Sequence, residues 1–564
     1  MGKIDNLEKE VLDLKSKIER YTSLPEWKFK QNVENGEKLS VDESDWEERN
    51  PGFHWSLKEG QAYFRKWIEV PSEIEGIKIE GSDILLLFLF PSGVEVFVDE
   101  KKVYQYKFWA DKIAVPLPFI NNVKIGEKHL VVFKTPSGDG LGWSPGPRLY
   151  IEKIEEILFE LKTIIYQIKF ALHITKWFKR KNLINTVQNA LEVLNIQDLK
   201  ERKWENFLSQ IKEAEKLLEV FRPIVKKFKI HLIGHAHIDM NWLWDYPDTI
   251  NVCLRDFSSV INLMEEYPSL TFSQSQTHIY KIVEENDPEL FKKVIEKIKE
   301  KRWEVTANGW VEGDLNMAEG ESIVRHILYS KKYIKEKLKT NSFIMWSPDT
   351  FGHPISIPTI LGNSEIKYYY FMRCGKNLPV FRWRGRDGSE VIAFNSAYNN
   401  RIESDRFLPL FIDFYNRYKI NEMMFVYGIG DHGGGPTKID INKKEILDKK
   451  PVIPSLEFST TERFFSFIEK SRSKLPVIKE ELNTIYEGCY TTHSDIKKAN
   501  RESEHLLLSL ETISAIANLK GENYPERELE EMWHTTCFNQ FHDILDGSAI
   551  HSSYEYSIQI ANQV

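Results

Sequence analysis

The 564-residue sequence contains only four cysteines, Cys253, Cys374, Cys489 and Cys537, widely separated and without a CxxC pair. That scarcity argues against a disulfide framework and a thiolate zinc site, and it fits a reducing compartment. Long apolar runs are missing too: Ile84–Phe90 is too short to span a bilayer and reads as a buried strand. The N-terminal MGKIDNLEKEVLDLKSKIER has no apolar signal core. Positive charge is in deficit, with 76 Lys and Arg against 84 Asp and Glu and a formal net charge of −8. That balance removes the general electrostatic reason for binding nucleic acid or an anionic membrane. A cytoplasmic protein without nucleic-acid or membrane partners is expected.

What is present is a globular balance, 41% hydrophobic and 28% charged, over a length that exceeds one compact core. Leu7, Val11, Leu14 and Ile18 mark one apolar stripe on an N-terminal helix within residues 1–24. Residues 25–150 carry short apolar runs such as ILLLFLF and VEVFV, broken by PSG and DGLG, which predicts a β-sandwich accessory domain. Residues 151–228 lose the turn residues and show long charged-apolar periods, a helical connector. From 229 to 480, short strands alternate with amphipathic helices, predicting a parallel α/β sheet or barrel. Residues 481–564 return to helix, with Leu529, Met532, Trp533 and Cys537 forming a stripe that leads into NQFHD.

Six of the predicted strands end in polar residues: His235–Asp239, Gln274–His278, Trp310–Asp314, Asp349, Arg373 and Asp431. In parallel α/β architectures the C-terminal strand edge is where binding and catalytic groups converge. His235, His237 and Asp239 alternate, so an extended chain aims them to one side, as metal ligands need. An isolated HxH is more often a hydrogen-bonded pair at a strand end, and the added carboxylate is what shifts the reading towards a metal. Asp349 stands where a strand gives way to a loop, a position that also suits a helix cap.

Taken together, HAHIDMNWLW, GWVEGDLNMAEGES, WSPDTFGH, GDHGGGPT, YTTHSDIKKANRESE and NQFHDILDGSAI resemble, in order, the signature blocks of the glycoside hydrolase family 38 α-mannosidases, cytosolic-type branch. The resemblance implies an irregular seven-stranded (β/α) barrel followed by a helical bundle. It implies zinc, or cobalt or another divalent metal, held by His237, Asp239, Asp349 and His542, with His235 behind the ligands. Asp349 would also be the nucleophile, forming a covalent mannosyl-enzyme that water resolves with retention, while the metal binds the 2- and 3-hydroxyls of a terminal α-mannoside. Such a mechanism needs an acid/base roughly 5 Å from the nucleophile, and Asp431 is the candidate. His432 departs from the usual Gly of that loop. Trp242, Phe351, Arg373 and Asp543 are the expected substrate contacts, and Glu312 and Asp314 could support the ligands or the acid/base.

Family members continue beyond the HD block into β-sandwich domains, so a split enzyme with a separate C-terminal subunit, and a homo- or hetero-oligomer, are expected. An exposed bundle surface would mark such a partner. Two other functions use the same residues. A metal-dependent carbohydrate deacetylase-like hydrolase accounts for HxHxD, and a non-catalytic sugar-binding or assembly subunit would keep the site without the turnover.

Overall fold

The computed structural model describes residues 2–88, 90, 93–106, 117–138, 141, 142, 144, 146–430 and 433–564. The chain divides into two compact units. The first comprises Met1–Phe228, Glu403–Ile412 and Glu445–Ser455. Its helix Gly2–Thr22 buries Ile4, Leu7, Val11, Leu14 and Ile18, the face that the apolar spacing dictates.

A six-stranded antiparallel sheet follows, in the order Glu47–Arg49, Trp27–Gln31, Ala62–Glu69, Lys128–Thr135, Val94–Val98, Lys101–Tyr106. Strand periodicity sends Leu130 and Val132 into a cluster with Trp46, Tyr63 and Phe97. Phe133 points the other way and meets Phe88 and Phe90, with ring centroids 5.0 and 4.8 Å away. A second antiparallel sheet orders Leu117–Ile120, Ile84–Leu87 and Arg148–Ile151. The helices Glu152–Trp177, Lys181–Val193 and Trp204–Leu218 come next, each buried along one apolar face.

The second unit comprises Lys229–Ile402, Asp413–Lys444 and Leu456–Val564, and it is mixed α/β. Strand Lys229–Gly234 pairs in parallel with Glu422–Tyr427, and Phe272–Gln274 with Trp303–Val305. Ile344–Ser347, Tyr368–Phe371 and Glu390–Asn395 form a third parallel group, extended by the antiparallel Val380–Arg384. The ladders are therefore separate, and side chains bridge some of the gaps: Asn308 Nδ2 donates to Ile344 O at 2.7 Å. Parallel strands need crossovers, which helices such as Tyr246–Glu266, Pro288–Lys299 and Gly320–Tyr333 provide. All six strands read from the sequence form. The hairpin of Val380–Arg384 and Glu390–Asn395 and the extra helix Thr277–Asn286 were not foreseen.

Helices Ser494–Asn518, Glu526–Asn539 and His551–Ala561 end the unit. Leu529, Trp533 and Cys537 are buried as their stripe predicts, and Met532 is half-buried. On Ser494–Asn518, Leu506, Leu510, Ile513 and Ile516 are exposed, followed by Leu519 just past its end. Among the described residues no helix is long and apolar enough to cross a membrane.

Candidate functional site

Regular strand pairing ends at Gly234, and His235–Asp239 continues as irregular chain. Buried irregular backbone must find partners for its carbonyls, and here they come from distant parts of the unit. Gln274 Nε2 donates to Ala236 O at 3.0 Å, Gly433 N to His237 O at 2.6 Å and Gln276 Nε2 to Ile238 O at 2.7 Å. Thr249 Oγ1 donates to Asp239 O and Met240 O at 3.0 and 2.7 Å. The segment is thereby fixed without a ladder.

The three alternating side chains do not share one target. His235 Nδ1 lies 2.9 Å from Ser273 O, a pure acceptor, so that nitrogen carries the proton; Nε2 accepts from Trp346 Nε1 at 3.1 Å. Both nitrogens are occupied, and burial pushes its pKa down to about 3. It stands behind the site, as a neutral ring. His237 and Asp239 do converge, Nε2 to Oδ1 at 2.8 Å. From the C-terminal helices His542 brings its Nε2 to 3.6 Å from the same Asp239 oxygen, 3.8 Å from Asp349 Oδ2 and 3.4 Å from Asp543 Oδ2. Ligand atoms of His237, Asp239 and His542 all lie within 4.8 Å of one another.

The His542 ring is oriented by Glu312, whose carbonyl accepts from Nδ1 at 2.9 Å and from the His542 backbone N at 3.2 Å. A carbonyl accepts only, so the proton sits on Nδ1 and the Nε2 lone pair faces the cluster. Glu312 Oε1 accepts from the backbone N of Asp349 at 2.5 Å and of Thr350 at 3.0 Å, and Oε2 lies 3.4 Å from His237 Nδ1. Arg373 forms an ion pair with Asp349 Oδ1. It also donates to Asp349 O at 3.1 Å and to Tyr486 OH at 3.0 Å. Phe351 is buried, 5.5 Å from the His542 ring and under the Arg373 guanidinium at 5.3 Å. Asp543 Oδ1 accepts from Ser548 Oγ at 2.5 Å. Trp242 is half-buried, 5.8 Å from the ring of Trp244, and its carbonyl accepts from Ile550 N at 2.7 Å. Asp431 and His432 lie outside the described residues.

The residues fit a cation. His237 Nδ1 and Nε2, Asp239 Oδ1, Glu312 Oε2 and His542 Nε2 are buried without hydrogen-bond partners, and such orphaned atoms require a further group to satisfy them. Two imidazoles with carboxylates are a donor set that suits zinc. The electrostatics agree. Burial opposes charging His237, yet the carboxylates of Asp239 and Glu312 outweigh it and raise its pKa to about 9. Burial lifts Asp239 to about 7 despite His237 beside it. The His237 shift thus expresses the neighbouring carboxylates, and the Asp239 shift expresses burial.

Two contacts were not named from the sequence, although Gln276 lies within the Gln274–His278 strand end. The Tyr398 ring packs 4.8 Å from that of His237, on the loop after the unforeseen hairpin. Gln276, with φ of 62°, braces Ile238 on one side and accepts from Glu312 N at 2.9 Å on the other.

This geometry coincides with what the chain resembles. Residues 227–483 match the glycosyl hydrolases family 38 N-terminal domain and 484–564 the alpha mannosidase middle domain. Alpha-mannosidase G of Dictyostelium discoideum is 31% identical over 68% of this chain and 36% of its own length. Alpha-mannosidase 2C1 of Homo sapiens is 30% identical over 57% and 32%, and the alpha-mannosidase of Saccharomyces cerevisiae is 31% identical over 58% and 32%. The chain thus spans about a third of the length of these curated relatives. An alpha-mannosidase structure from Enterococcus faecalis V583 shares the fold, with a TM-score of 0.53 and 18% identity over 60% of this chain and 41% of that one. The two domain models run contiguously through the segments that carry His237 and His542: the chain belongs to glycosyl hydrolase family 38.

Proposed function

We propose that this chain is the catalytic portion of a retaining α-mannosidase, with its catalytic domain at 229–480 built as an irregular seven-stranded barrel and its helical domain at 481–564. The carrying observation is the convergence on Asp349: Arg373 pairs with one carboxylate oxygen, and the other faces His542 within the His237–Asp239 cluster. His237, Asp239, Asp349 and His542 would hold the metal, zinc or cobalt. When bound, it supplies a Lewis-acid contact that grips the vicinal 2- and 3-hydroxyls of the sugar.

The remaining chemistry belongs to side chains. The Asp349 carboxylate attacks the anomeric carbon as the glycosidic C–O bond breaks, giving a covalent mannosyl-enzyme. Asp431 delivers a proton to the departing oxygen, then removes one from the water that cleaves the ester and restores Asp349. Arg373 keeps Asp349 oriented through two contacts and is itself held by Tyr486 OH, and Trp242, Phe351 and Asp543 supply walls and hydrogen bonds to the sugar. The exposed Leu506, Leu510, Ile513 and Ile516 support a further reading, that a separate or additional β-rich segment covers this face.

Hydrolysis of an aryl α-mannoside, with and without zinc or cobalt, tests the proposal. Asp349→Asn is expected to lower kcat on the order of a thousandfold or more, and unchanged turnover removes the nucleophile assignment. Acetate release from an acetylated glycan, without aryl mannoside cleavage, would favour the deacetylase instead.

A further inference from the structure

We infer that Glu312 is the positioning residue that couples metal capture to placement of the nucleophile, an inference that rests on the metal-centre reading above. Glu312 is 3% exposed and its carboxylate serves two segments. Oε1 accepts from Asp349 N at 2.5 Å and Thr350 N at 3.0 Å, fixing the turn from which Asp349 projects. Oε2 stands 3.4 Å from His237 Nδ1. The Glu312 main chain serves a third segment, with its carbonyl 2.9 Å from His542 Nδ1. One residue therefore touches His237, Asp349 and His542, three of the four proposed ligands. It is itself held in place, its N–H donating to Gln276 Oε1 at 2.9 Å.

The chemistry follows from tautomers. His237 can offer Nε2 to a metal only with its proton on Nδ1, and an acceptor facing Nδ1 holds it there and raises the basicity of Nε2. At His542 the Glu312 carbonyl imposes the same tautomer. A carboxylate suits the first position because Oε1 accepts from two amides while Oε2, without a hydrogen-bond partner of its own, stands 3.4 Å from the imidazole as an available acceptor.

Glu312→Gln separates these duties. Its amide oxygen can take over the two N–H bonds of Oε1, while its NH₂ confronts the Nδ1–H of His237 as donor against donor. Metal affinity, read without turnover by cobalt absorption titration and by equilibrium dialysis with zinc, is expected to fall about 10–100-fold. At saturating metal, kcat falls less in Glu312→Gln than in Glu312→Ala, because the amide oxygen keeps the two bonds that hold the Asp349 turn. Glu312→Ala loses both supports: metal affinity falls at least as far and kcat remains down by on the order of tenfold or more at saturating metal.

Glu304→Gln is the control, a half-buried carboxylate on strand Trp303–Val305, and it should leave metal affinity unchanged. Parent-like metal affinity in Glu312→Gln, or equal weakening in Glu304→Gln, overturns the assignment. A parent chain that takes up neither cobalt nor zinc overturns the metal-centre reading itself, an outcome visible before any variant is made.

Discussion

Near the start of strand Lys229–Gly234, His231 has both ring nitrogens engaged, Nδ1 with Ser459 Oγ at 2.9 Å and Nε2 with Glu422 at 2.7 Å. Just beyond the end of the same strand, His237 has neither ring nitrogen in a hydrogen bond. Strand Trp303–Val305 repeats the contrast. Glu304 accepts from Ser273 Oγ at 2.6 Å, Thr461 N at 2.7 Å, Thr461 Oγ1 at 2.9 Å and Glu462 N at 2.9 Å. It thereby satisfies orphan donors at the start of helix Thr461–Glu469. Glu312, in the loop that follows the strand, leaves Oε2 unmet. An unmet buried polar group costs about 1–3 kcal/mol. Several of them gathered round one point, with donor atoms spaced as a metal needs, mark the strand end as the candidate ligand site, whereas the groups earlier on the strands are satisfied within the fold.

The largest effect that would break this contrast is at His542. Removing a proposed ligand should exceed the 10–100-fold typical of residues that only support one. His542→Ala is therefore expected to weaken zinc by well over about a hundredfold, with little effect on the metal-free melting temperature. His231→Ala should do the reverse, leaving metal affinity as it was and lowering stability by roughly 1–3 kcal/mol. Dialysis and chelator-treated thermal melts read the two quantities separately. Equal metal loss in both variants would end the distinction between the strand ends. Next in size, Glu304→Ala strips four donors of their acceptor and should lower stability by about 2–3 kcal/mol, again with metal affinity unmoved.

Local periodicity carried much of this arrangement and no more than local periodicity can. The i, i+2 spacing placed His237 beside Asp239, and alternation of strands with helices put His235–Asp239, Asp349 and Arg373 at strand ends. The same spacing also grouped His235 with them. The structure turns that ring towards Ser273 and Trp346, contacts 38 and 111 residues away that no window on the sequence contains. His542 entered through its motif alone, since the pairing that orients it spans 230 residues. Tyr398 carried no signal because its loop follows a hairpin in which Val380–Arg384 runs antiparallel within an otherwise parallel group. Glu312 was visible as a polar residue past a strand, but its reach to three segments depends on how those segments meet.

The smallest expected effect concerns histidines away from the candidate metal site, His326 buried and His278 and His534 half-buried. Burial holds His278 down to about 3, His326 to about 4 and His534 to about 3. His278 keeps Tyr246 OH at 2.8 Å, His326 keeps Gln540 Oε1 at 3.1 Å, and the His534 ring lies flat on Trp310 at 3.7 Å and 5°. These folded-state values lie below the ordinary 6.5, so the unfolded chain takes up protons first as pH falls. Their stabilising contribution is present above about pH 6.5 and is lost progressively towards pH 3–4. One unit below the ordinary value each neutral ring should lower stability by roughly 1 kcal/mol. Urea midpoints at pH 7.5 and 5.5, taken with chelator so that metal release does not contribute, measure the sum. His534→Phe keeps the stack on Trp310 while deleting one titrating group, so its midpoint should shift less between the two pH values than the parent's. An identical shift in both proteins would mean that His534 is already protonated, or exposed, in the folded chain, and that its side of the contrast is not a neutral ring after all.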